Sequence, residues 1–329
     1  MKLYVPGDSS AKAVGADDVF DTLRKARPSL DIVRNGSRGL YWLEPMIEAE
    51  TEEGRLAFGP VTPEDVPELV AGNFAADHEL CLGPVDEIPA LKLQSRETFA
   101  RCGVIDPLSL EDYKANGGFS GLQKIIGWSS QEMVDCVKDS GLRGRGGAAF
   151  PTGIKWQTVL DCEADQKYIV CNADEGDSGT FADRMIMEGD PFTLIEGMII
   201  AGLATRATQG YIYLRSEYPH ARDVLNEAIK QAYNADYLGP DIQGSGRAFD
   251  LEVRMGAGAY ICGEETALLE SLEGKRGMIR YKPPLPAIKG LFGKPTVVNN
   301  VISLATIPVI FEKGHAHYAA YGTGKSRGT

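Results

Sequence analysis

The chain has 329 residues, of which 43% are hydrophobic and 24% are charged, and its formal net charge is −12 at pH 7. This length is sufficient for two domains, and the apolar share is sufficient for a sizeable core. A strongly acidic surface repels phosphate backbones and anionic lipids, so we expect neither a nucleic acid nor a membrane as the main partner.

The cysteines and the termini carry little sign of targeting or metal binding. Residues 1–6 contain no apolar run of signal-peptide length, and the most apolar stretch, 192–203, contains Glu196 and is too short to span a bilayer. The 6 cysteines are scattered, and no two are spaced C-x-x-C. We therefore expect a reducing, cytoplasmic setting and no metal site in this chain.

Residues 1–92 predict a small α/β domain. Lys2–Val5 is typical of a strand, a helical stripe begins near Ala16, and 40–58 is typical of a hairpin with its turn at 52–54.

The end of this first region contains a predicted helix start and a predicted linker. Thr62-Pro63-Glu64-Asp65 combines a capping hydroxyl, a first-position proline and early acids, so we expect a helix from there. Residues 75–95, with two prolines and mixed charge, predict a linker to a second domain at 93–329.

The second region predicts an α/β fold with a mainly parallel sheet. Ser129 and Glu132 form a predicted capping box, and strands and helices alternate after it. Ligands of such sheets bind at the carboxyl ends of strands, so the loops after Cys171 and Met255 are the expected site. The predicted strands are 168–171, 211–214 and 249–255, and the predicted helices are 191–204, 219–233 and 267–272.

A glycine-rich loop occupies 141–156. Gly144, Gly146 and Ala149 match the loose dinucleotide fingerprint, but a helix precedes the loop where a strand is required, and Pro151 interrupts the segment where a helix should begin. We therefore expect no ordinary Rossmann site. The glycines predict a backbone that a flat or anionic ligand can approach closely, with a flexible surface loop as the alternative.

The acidic run Asn172–Gly179 directly follows a predicted strand. Its carboxylates Asp174, Glu175 and Asp177 would repel a phosphate but accept hydrogen bonds from hydroxyl and amide groups. This favours contact with a ribityl chain, a ribose or a nicotinamide carboxamide. The alternatives are a solvated turn or a cation site, although the spacing does not match an EF-hand.

The run Gly256–Ala267 also follows a predicted strand and opens a helix. Free amides at a helix start favour an anion, yet Glu264 and Glu265 would occupy that field themselves. We assign the glycines and Tyr260 to the surroundings of a flat ligand, and the glutamates to hydroxyl or amide contacts. The alternative for the glutamates is capping of the helix dipole.

Three further segments are candidate binding motifs. Lys282 heads a rigid proline run, and Thr296–Asn300 ends an apolar stretch with two amide donors. Gly322–Ser326 is similar to the end of a phosphate-binding P-loop, but Ala319 stands where that motif needs glycine and no apolar strand precedes it. We therefore reject a nucleoside-triphosphate site there.

Taken in order, these motifs resemble the family of flavoprotein, NADH-binding subunits of respiratory complex I, over about residues 96–329. The resemblance implies FMN held by the loops, NAD(H) stacked over it, hydride exchange between the two without a protein acid or base, and single-electron exchange with iron–sulphur clusters. The positions implied for FMN are Gly144, Arg145, Gly146, Lys155, Asn172, Asp174, Glu175, Tyr260, Gly263, Glu264, Asn299 and Asn300, and those implied for NAD(H) are Phe150, Asp177, Glu265 and Lys282.

Two positions depart from the family pattern. Asp177 stands where complex I members have Glu, which shortens the side chain by one methylene. Leu285 stands where many relatives have Phe, which removes an aromatic surface that could stack on adenine.

The first region resembles the thioredoxin-like domain of the family's small iron–sulphur subunit, here fused to the flavoprotein. Gly59–Val66 is similar to the start of that domain's final helix, and Ser37 and Tyr41 occupy positions where cluster ligands would be cysteines. Neither a hydroxyl nor a phenol replaces a thiolate on iron, so we expect a domain at 1–92 that has lost its cluster and docks a partner.

The fused arrangement is most similar to the β subunit of soluble NAD-dependent formate dehydrogenases. The diaphorase subunit of an NAD-reducing hydrogenase and a complex I-type NADH dehydrogenase are the near alternatives. A redox-inactive docking subunit and a free-standing flavin reductase are alternatives of other classes. The resemblance implies as partners a small [2Fe–2S] thioredoxin-like subunit and a larger iron–sulphur or molybdenum subunit.

The family continues past residue 324 into a small β domain and a helical bundle that holds a [4Fe–4S] cluster. Both are absent from this sequence, and we expect the sequence to be truncated.

Overall fold

The computed structural model describes residues 1–323 and 326–327. Gly324 and Lys325 of the rejected P-loop-like run lie outside the described residues. The chain divides into two compact units, the first formed by Met1–Ser109 with Glu188–Asp190 and the second by Leu110–Met187 with Pro191 onwards. Within the described ranges, no helix is both long and apolar enough to cross a bilayer.

The first unit contains a five-stranded mixed sheet. Its strands are β1 (Lys2–Tyr4), β2 (Asp31–Val33), β3 (Ile47–Thr51), β4 (Gly54–Phe58) and β5 (Cys81–Pro84), and its helices are α1 (Ser9–Ala13), α2 (Ala16–Ala26), α3 (Val66–Ala71) and α4 (Pro89–Lys92). The strand order is β2-β1-β3-β4-β5, with β1 and β2 parallel and the other neighbours antiparallel. The predicted first strand, the helix from Ala16 and the hairpin turn at 52–54 are confirmed.

Three local predictions for this unit are wrong. The predicted linker at 75–95 contains β5, which pairs with β4, because a strand of four residues with no alternation leaves no strand signal in the sequence. Helix α3 begins at Val66 rather than near Pro63, since the Asp65 carboxylate accepts hydrogen bonds from the Thr62 amide and hydroxyl, both at 2.7 Å, and holds those residues in a turn. The start of the predicted hairpin is a 3₁₀ turn at Tyr41–Leu43.

Residues 93–109 belong to the first unit, whereas the sequence placed them in the second domain. Asn35 Nδ2 donates to the Gly103 carbonyl at 2.7 Å, and Arg101 Nε lies 2.8 Å from Asp190 Oδ2. These contacts join residues 68 and 89 positions apart. Because these contacts join residues far apart in the chain, no local sequence pattern predicts them.

The second unit is built on a four-stranded sheet. In chain order the remaining elements are α5 (Leu110–Ala115), α6 (Ser120–Ile125), α7 (Ser130–Ser140), α8 (Thr152–Asp161), β6 (Tyr168–Ala173), α9 (Ala182–Gly189), α10 (Pro191–Thr205), β7 (Gln209–Leu214), α11 (Pro219–Asn234), β8 (Asp250–Met255), α12 (Glu265–Leu272), α13 (Pro286–Lys289), β9 (Thr296–Asn300), α14 (Val301–Lys313), α15 (His315–Ala320), β10 (Gly322–Thr323) and β11 (Ser326–Arg327).

This sheet is parallel throughout, which confirms the prediction. Its order is β8-β7-β6-β9, so the chain moves outward from β6 to β8 and then returns to the other side of β6. The direction of winding therefore reverses between β6 and β9. Such a reversal leaves a crevice at the carboxyl ends of the two strands.

Helices α10 and α14 pack together in the core of the second unit. Every residue of α10 is buried, including Glu196. A Cβ on Gly197 would lie 2.0 Å from the Leu304 carbonyl oxygen, so only glycine permits this approach of the two backbones. The predicted capping box of Ser129 and Glu132 is present at the start of α7.

Candidate functional site

Two asparagines lie at the point where the winding of the sheet reverses. Asn172 near the end of β6 and Asn300 at the end of β9 are directly paired in the parallel register. Asn172 Nδ2 donates to the Gly263 carbonyl at 2.8 Å, which ties the loop after β8 to β6. Asn300 Oδ1 accepts from the Ile302 amide at 2.9 Å and caps α14. Three predicted loops thus meet at one crevice.

The glycine-rich loop is closed by its own backbone. The Gly144 amide donates to the Phe150 carbonyl at 2.9 Å, and the Thr152 amide donates to the Leu142 carbonyl, also at 2.9 Å. Helix α8 begins at Thr152, so the prediction that Pro151 interrupts the segment after the loop is wrong; Pro151 instead occupies the N-cap position. A helix precedes and follows the loop, which agrees with the exclusion of an ordinary Rossmann site.

Helix α8 places the ammonium group of Lys155 at the crevice. Lys155 Nζ donates to the Val298 carbonyl at 2.7 Å and lies 3.5 Å from Glu265 Oε2. Burial lowers the pKa of Lys155, and Glu265 opposes that shift. The buried Trp156 fixes the neighbouring strand by donating from Nε1 to Asn299 Oδ1 at 3.0 Å.

The acidic run after β6 is structured, and Glu175 is bonded within the protein. Its carboxylate accepts from the Asp183 amide at 2.8 Å, the Arg184 amide at 3.1 Å and the Tyr218 hydroxyl at 3.0 Å. Because these bonds use most of its acceptor capacity, Glu175 holds the loop after β6 in its conformation. Neighbouring Asp174 is buried, which raises its pKa to about 6 against the opposing effect of Arg215.

Glu264 both caps a helix and binds a side chain of the site. One carboxylate oxygen caps α12 by accepting from the Thr266 amide at 2.8 Å and the Ala267 amide at 2.9 Å. The other oxygen accepts from Lys282 Nζ at 2.9 Å, and Lys282 also donates to Glu265 Oε1 at 2.8 Å. Partial burial works against ionisation, yet the hydrogen bonds from Thr266, Lys282 and the helix amides hold the pKa of Glu264 at about 2. The glutamates therefore fix the position of the predicted nucleotide-contacting lysine.

Asp183 is a site residue that sequence reasoning missed. It is 4% exposed, and Asn300 Nδ2 donates to its Oδ2 at 2.7 Å. Burial and the nearby Glu175 carboxylate raise the pKa of Asp183 to about 8. An acid in the first turn of a helix is an ordinary capping feature, so no local pattern indicates that this one faces a cavity.

Two adjoining cavities form the site, one of about 430 Å³ and one of about 410 Å³. Both are bordered by Gly146, Asn172, Gly263, Glu264 and Asn300. The first is lined in addition by Arg145, Gly147, Glu175, Gly176, Asp177, Thr180, Ala182, Asp183, Tyr260, Ile261 and Ile302. The second is lined in addition by Gly144, Ala148, Ala149, Phe150, Lys155, Thr158, Glu265, Lys282, Leu285, Pro286, Ala287, Thr296, Val298 and Asn299.

Every predicted site residue except Asp174 lines one of these cavities. Asp174 lies behind the lining, with its Oδ2 placed 3.2 Å from where a Cβ on Gly263 would stand. The added lining residues that the sequence did not suggest are mostly apolar or small, such as Ile261, Ile302 and Val298. Nothing in their local sequence separates them from core residues.

Comparisons with known proteins identify the family to which the chain is similar. A family model described as the Nuo51 FMN-binding domain matches residues 137–309. The chain is 52% identical over 238 residues to the NADP-reducing hydrogenase subunit HndC of Solidesulfovibrio fructosivorans, covering 72% of this chain and 48% of that protein. It is 50% identical over 220 residues to the F 2 subunit of the NADH-quinone oxidoreductase of Rhizobium meliloti, covering 67% of this chain and 52% of that protein.

The fold is also similar to a solved structure. A chain of the NAD⁺-reducing [NiFe]-hydrogenase in the H₂-reduced state superposes with a TM-score of 0.62 at 28% identity, covering 99% of this chain and 55% of that one. The chain spans about half the length of the curated relatives it matches. On the match of the family model to more than half of its residues, the chain belongs to the Nuo51 FMN-binding domain family, the complex I-type flavoproteins.

Proposed function

We propose that this chain exchanges hydride between NAD(H) and a bound FMN and passes single electrons to iron–sulphur clusters of partner subunits. The observation that carries the proposal is the pair of adjoining cavities at the carboxyl ends of β6 and β9. Their shared border consists of glycines and side chains that hydrogen-bond, Asn172 and Asn300 among them. Each cavity falls within the roughly 300–1,000 Å³ typical of small-molecule sites.

The residues present fit an FMN. Gly146 borders both cavities, and a Cβ there would meet only Asn300 Cβ, at 3.4 Å, so the glycine leaves room for a flat ring against the backbone. Arg145 and Lys155 supply positive charge for a phosphate, and Asn299 and Asn300 supply amides. We propose that these groups hold the cofactor.

When bound, FMN would supply the ability to take two electrons as hydride and release them singly. The chain's own residues bind and orient. Lys282, held between Glu264 and Glu265, presents a cation at the second cavity, and Phe150 presents an exposed aromatic face there. We assign the nicotinamide nucleotide to Phe150, Asp177, Glu265 and Lys282.

We propose NAD(H) rather than NADP(H) as the physiological nucleotide. Asp177, which we assign to the nucleotide, lines the first cavity, and its negative charge would repel a 2′-phosphate. The similarity to an NADP-reducing hydrogenase subunit makes NADPH the competing candidate. The ratio of kcat/KM for NADH to that for NADPH decides between them.

We propose that the first unit is a thioredoxin-like domain, which the sequence delimited as 1–92, and that it docks a partner without holding a cluster. Its support is a parallel β1–β2 pair joined by helices, followed by the antiparallel β3–β4 hairpin and α3. Ser37, at a position where the family's cluster ligand would be a cysteine, donates instead to the buried Glu44 Oε1 at 2.6 Å.

For the assembly, we propose the cytoplasmic diaphorase subunit of a soluble NAD-linked dehydrogenase, with formate as the electron donor through a molybdenum-containing iron–sulphur subunit and a small [2Fe–2S] thioredoxin-like subunit. A hydrogen-oxidising complex is the second candidate. It is favoured by the similarity to a chain of the NAD⁺-reducing [NiFe]-hydrogenase, which covers 99% of this chain. Co-purification from the native source, followed by assays with formate and with hydrogen, distinguishes the two donors.

A diaphorase assay tests the proposed activity. The purified chain is supplied with FMN, NADH and ferricyanide, a one-electron acceptor that needs no partner. We expect turnover that requires both FMN and NADH. A folded, FMN-loaded chain that does not reduce ferricyanide overturns the proposal and favours the redox-inactive docking alternative.

A further inference from the structure

The segment that carries Lys282 has little apolar anchoring. Residues 273–285, between α12 and α13, form neither helix nor strand. Met278 is 57% exposed, Ile279 65% and Tyr281 98%. A segment that buries so little apolar surface needs polar contacts to hold one conformation.

Arg280 supplies those contacts. Its guanidinium donates to Glu270 Oε1 at 2.5 Å, Glu273 Oε1 at 2.8 Å and the Gly290 carbonyl at 2.9 Å. One side chain therefore fastens the segment both to the end of α12 and to the turn after α13. A planar, multidentate guanidinium fixes direction as well as distance, which a lysine ammonium does not.

A short hydrogen-bonded chain connects Arg280 to Lys282. The Arg280 amide donates to Thr266 Oγ1 at 2.9 Å, and that buried hydroxyl donates to Glu264 Oε2 at 2.5 Å. The other oxygen of Glu264 accepts from Lys282. Thr266 therefore contacts both partners: its hydroxyl accepts from the Arg280 amide and also orients Glu264, which in turn binds Lys282.

A second close contact of the segment lies three residues before Arg280, at Gly277. A Cβ on Gly277 would stand 2.7 Å from Cys262 Sγ, so the segment passes tightly against the loop that follows β8. Lys282 follows these two contacts by a few residues and lines the second cavity. The position of the Lys282 side chain at the cavity therefore depends on where residues 273–285 are held.

We propose that Arg280 is a positioning residue for the nicotinamide nucleotide, acting by fastening residues 273–285 to α12 so that Lys282 is held between Glu264 and Glu265 at the second cavity. The inference rests on the proposed function in one respect, the contact of the nucleotide with Lys282. The position of Lys282 itself can be measured without any nucleotide.

The test combines amine labelling with kinetics on the full chain. Lysines are acetylated with a small excess of sulfosuccinimidyl acetate, and mass spectrometry gives the rate at Lys282 relative to exposed Lys230. In Arg280→Gln, Lys282 loses its carboxylate partners, and we expect its relative rate to rise about threefold or more because only neutral, accessible amines react. With FMN and ferricyanide, we expect KM for NADH to rise about tenfold while kcat changes less than about twofold.

Companion variants separate positioning from general loosening. Arg222→Gln removes an arginine that pairs with Asp223 on α11, and it should leave labelling, KM and FMN uptake unchanged. Arg280→Lys should recover only part of the effect, and Glu270→Gln should reproduce part of it. If Arg280→Gln does not fold, these two milder variants carry the same measurements.

Unchanged labelling of Lys282 in the folded variants would overturn the inference, as would an equal loss of FMN uptake and NADH affinity. Failure of the proposed function is distinguishable from both. In that case the wild-type chain itself would show no NADH oxidation, while the labelling ratio would still report whether Arg280 positions Lys282.

Discussion

Tyr260 donates its hydroxyl to Asp177 Oδ1 at 2.8 Å and so joins the loop after β8 to the acidic run after β6. The ring is 71% exposed and lies against Gly176, where a Cβ would be 2.8 Å from Tyr260 Cδ2. The hydrogen bond raises the pKa of Tyr260 and keeps its proton on the phenol. The first cavity is lined by all three residues.

Gly176→Ala should displace this ring. The new methyl group cannot coexist with Tyr260 in its present place, and an exposed ring can move away without unfolding the protein. Because Tyr260 is among the positions implied for FMN and bonds to Asp177, which we assign to the nucleotide, we expect the FMN dissociation constant and KM for NADH each to rise about fivefold. Tyr260→Phe, which removes only the hydroxyl, should have a smaller effect. An unchanged FMN dissociation constant in Gly176→Ala would show that the Tyr260 ring does not contact the flavin.

Gly146→Ala should weaken FMN binding with little loss of stability. Gly146 does not have a positive φ, and the added methyl meets only Asn300 Cβ at 3.4 Å, so the folded protein accommodates the alanine. The same methyl would project into the space that the two cavities leave for the cofactor. We expect the FMN dissociation constant, measured by quenching of flavin fluorescence, to rise about tenfold or more.

Its control is Gly127→Ala, where an added Cβ has no neighbour within 4 Å. This variant should bind FMN as the wild type does. Both apo-chains should keep their melting temperatures within about 2 °C of wild type. A Gly146→Ala chain that binds FMN normally would mean that the cofactor does not approach this backbone.

Leu285→Phe should tighten nucleotide binding. Leu285 is 46% exposed and lines the second cavity together with Phe150, so a ring at this position could stack on an adenine. We expect KM for NADH to fall about fivefold, at the lower end of what aromatic–base stacking contributes. Leu93→Phe adds the same ring at an exposed leucine outside both cavities and should change nothing. A KM that rises only in Leu285→Phe would show that the pocket has no room for the ring.

Asp183→Asn should alter how stability depends on pH. The pKa of Asp183 is raised from 3.8 to about 8, so the folded chain holds a proton that the unfolded chain releases in this interval. Wild type therefore loses stability from this group as pH rises through the interval, and the asparagine variant does not.

The measurement is the urea midpoint of both chains between about pH 5 and about pH 9, where the advantage of Asp183→Asn should grow with pH. Asp139→Asn, on the exposed face of α7, corrects for the general loss of one negative charge. A difference between the chains that stays constant with pH would contradict the placement of a protonated Asp183 beside Asn300.

Sequence patterns predicted the second unit better than the first. Strands such as β6 are continuous apolar runs followed directly by polar loops, and the carboxyl ends of parallel strands must meet, so the sequence was sufficient to assign the loop at Asn172 to the site. Short strands such as β5 have no periodicity to detect. The role of Asp183 was invisible because it depends on Asn300, 117 residues away.

Binding of FMN and NADH in the crevice between β6 and β9 is tested most directly by visible spectroscopy. The spectrum of the purified chain is recorded after FMN addition and gel filtration, and the sample is then titrated anaerobically with NADH. We predict that flavin absorption stays with the protein and is bleached by about one equivalent of NADH. A folded chain that retains no flavin, or a retained flavin that NADH does not bleach, would contradict the assignment of this crevice to the cofactor and the nucleotide.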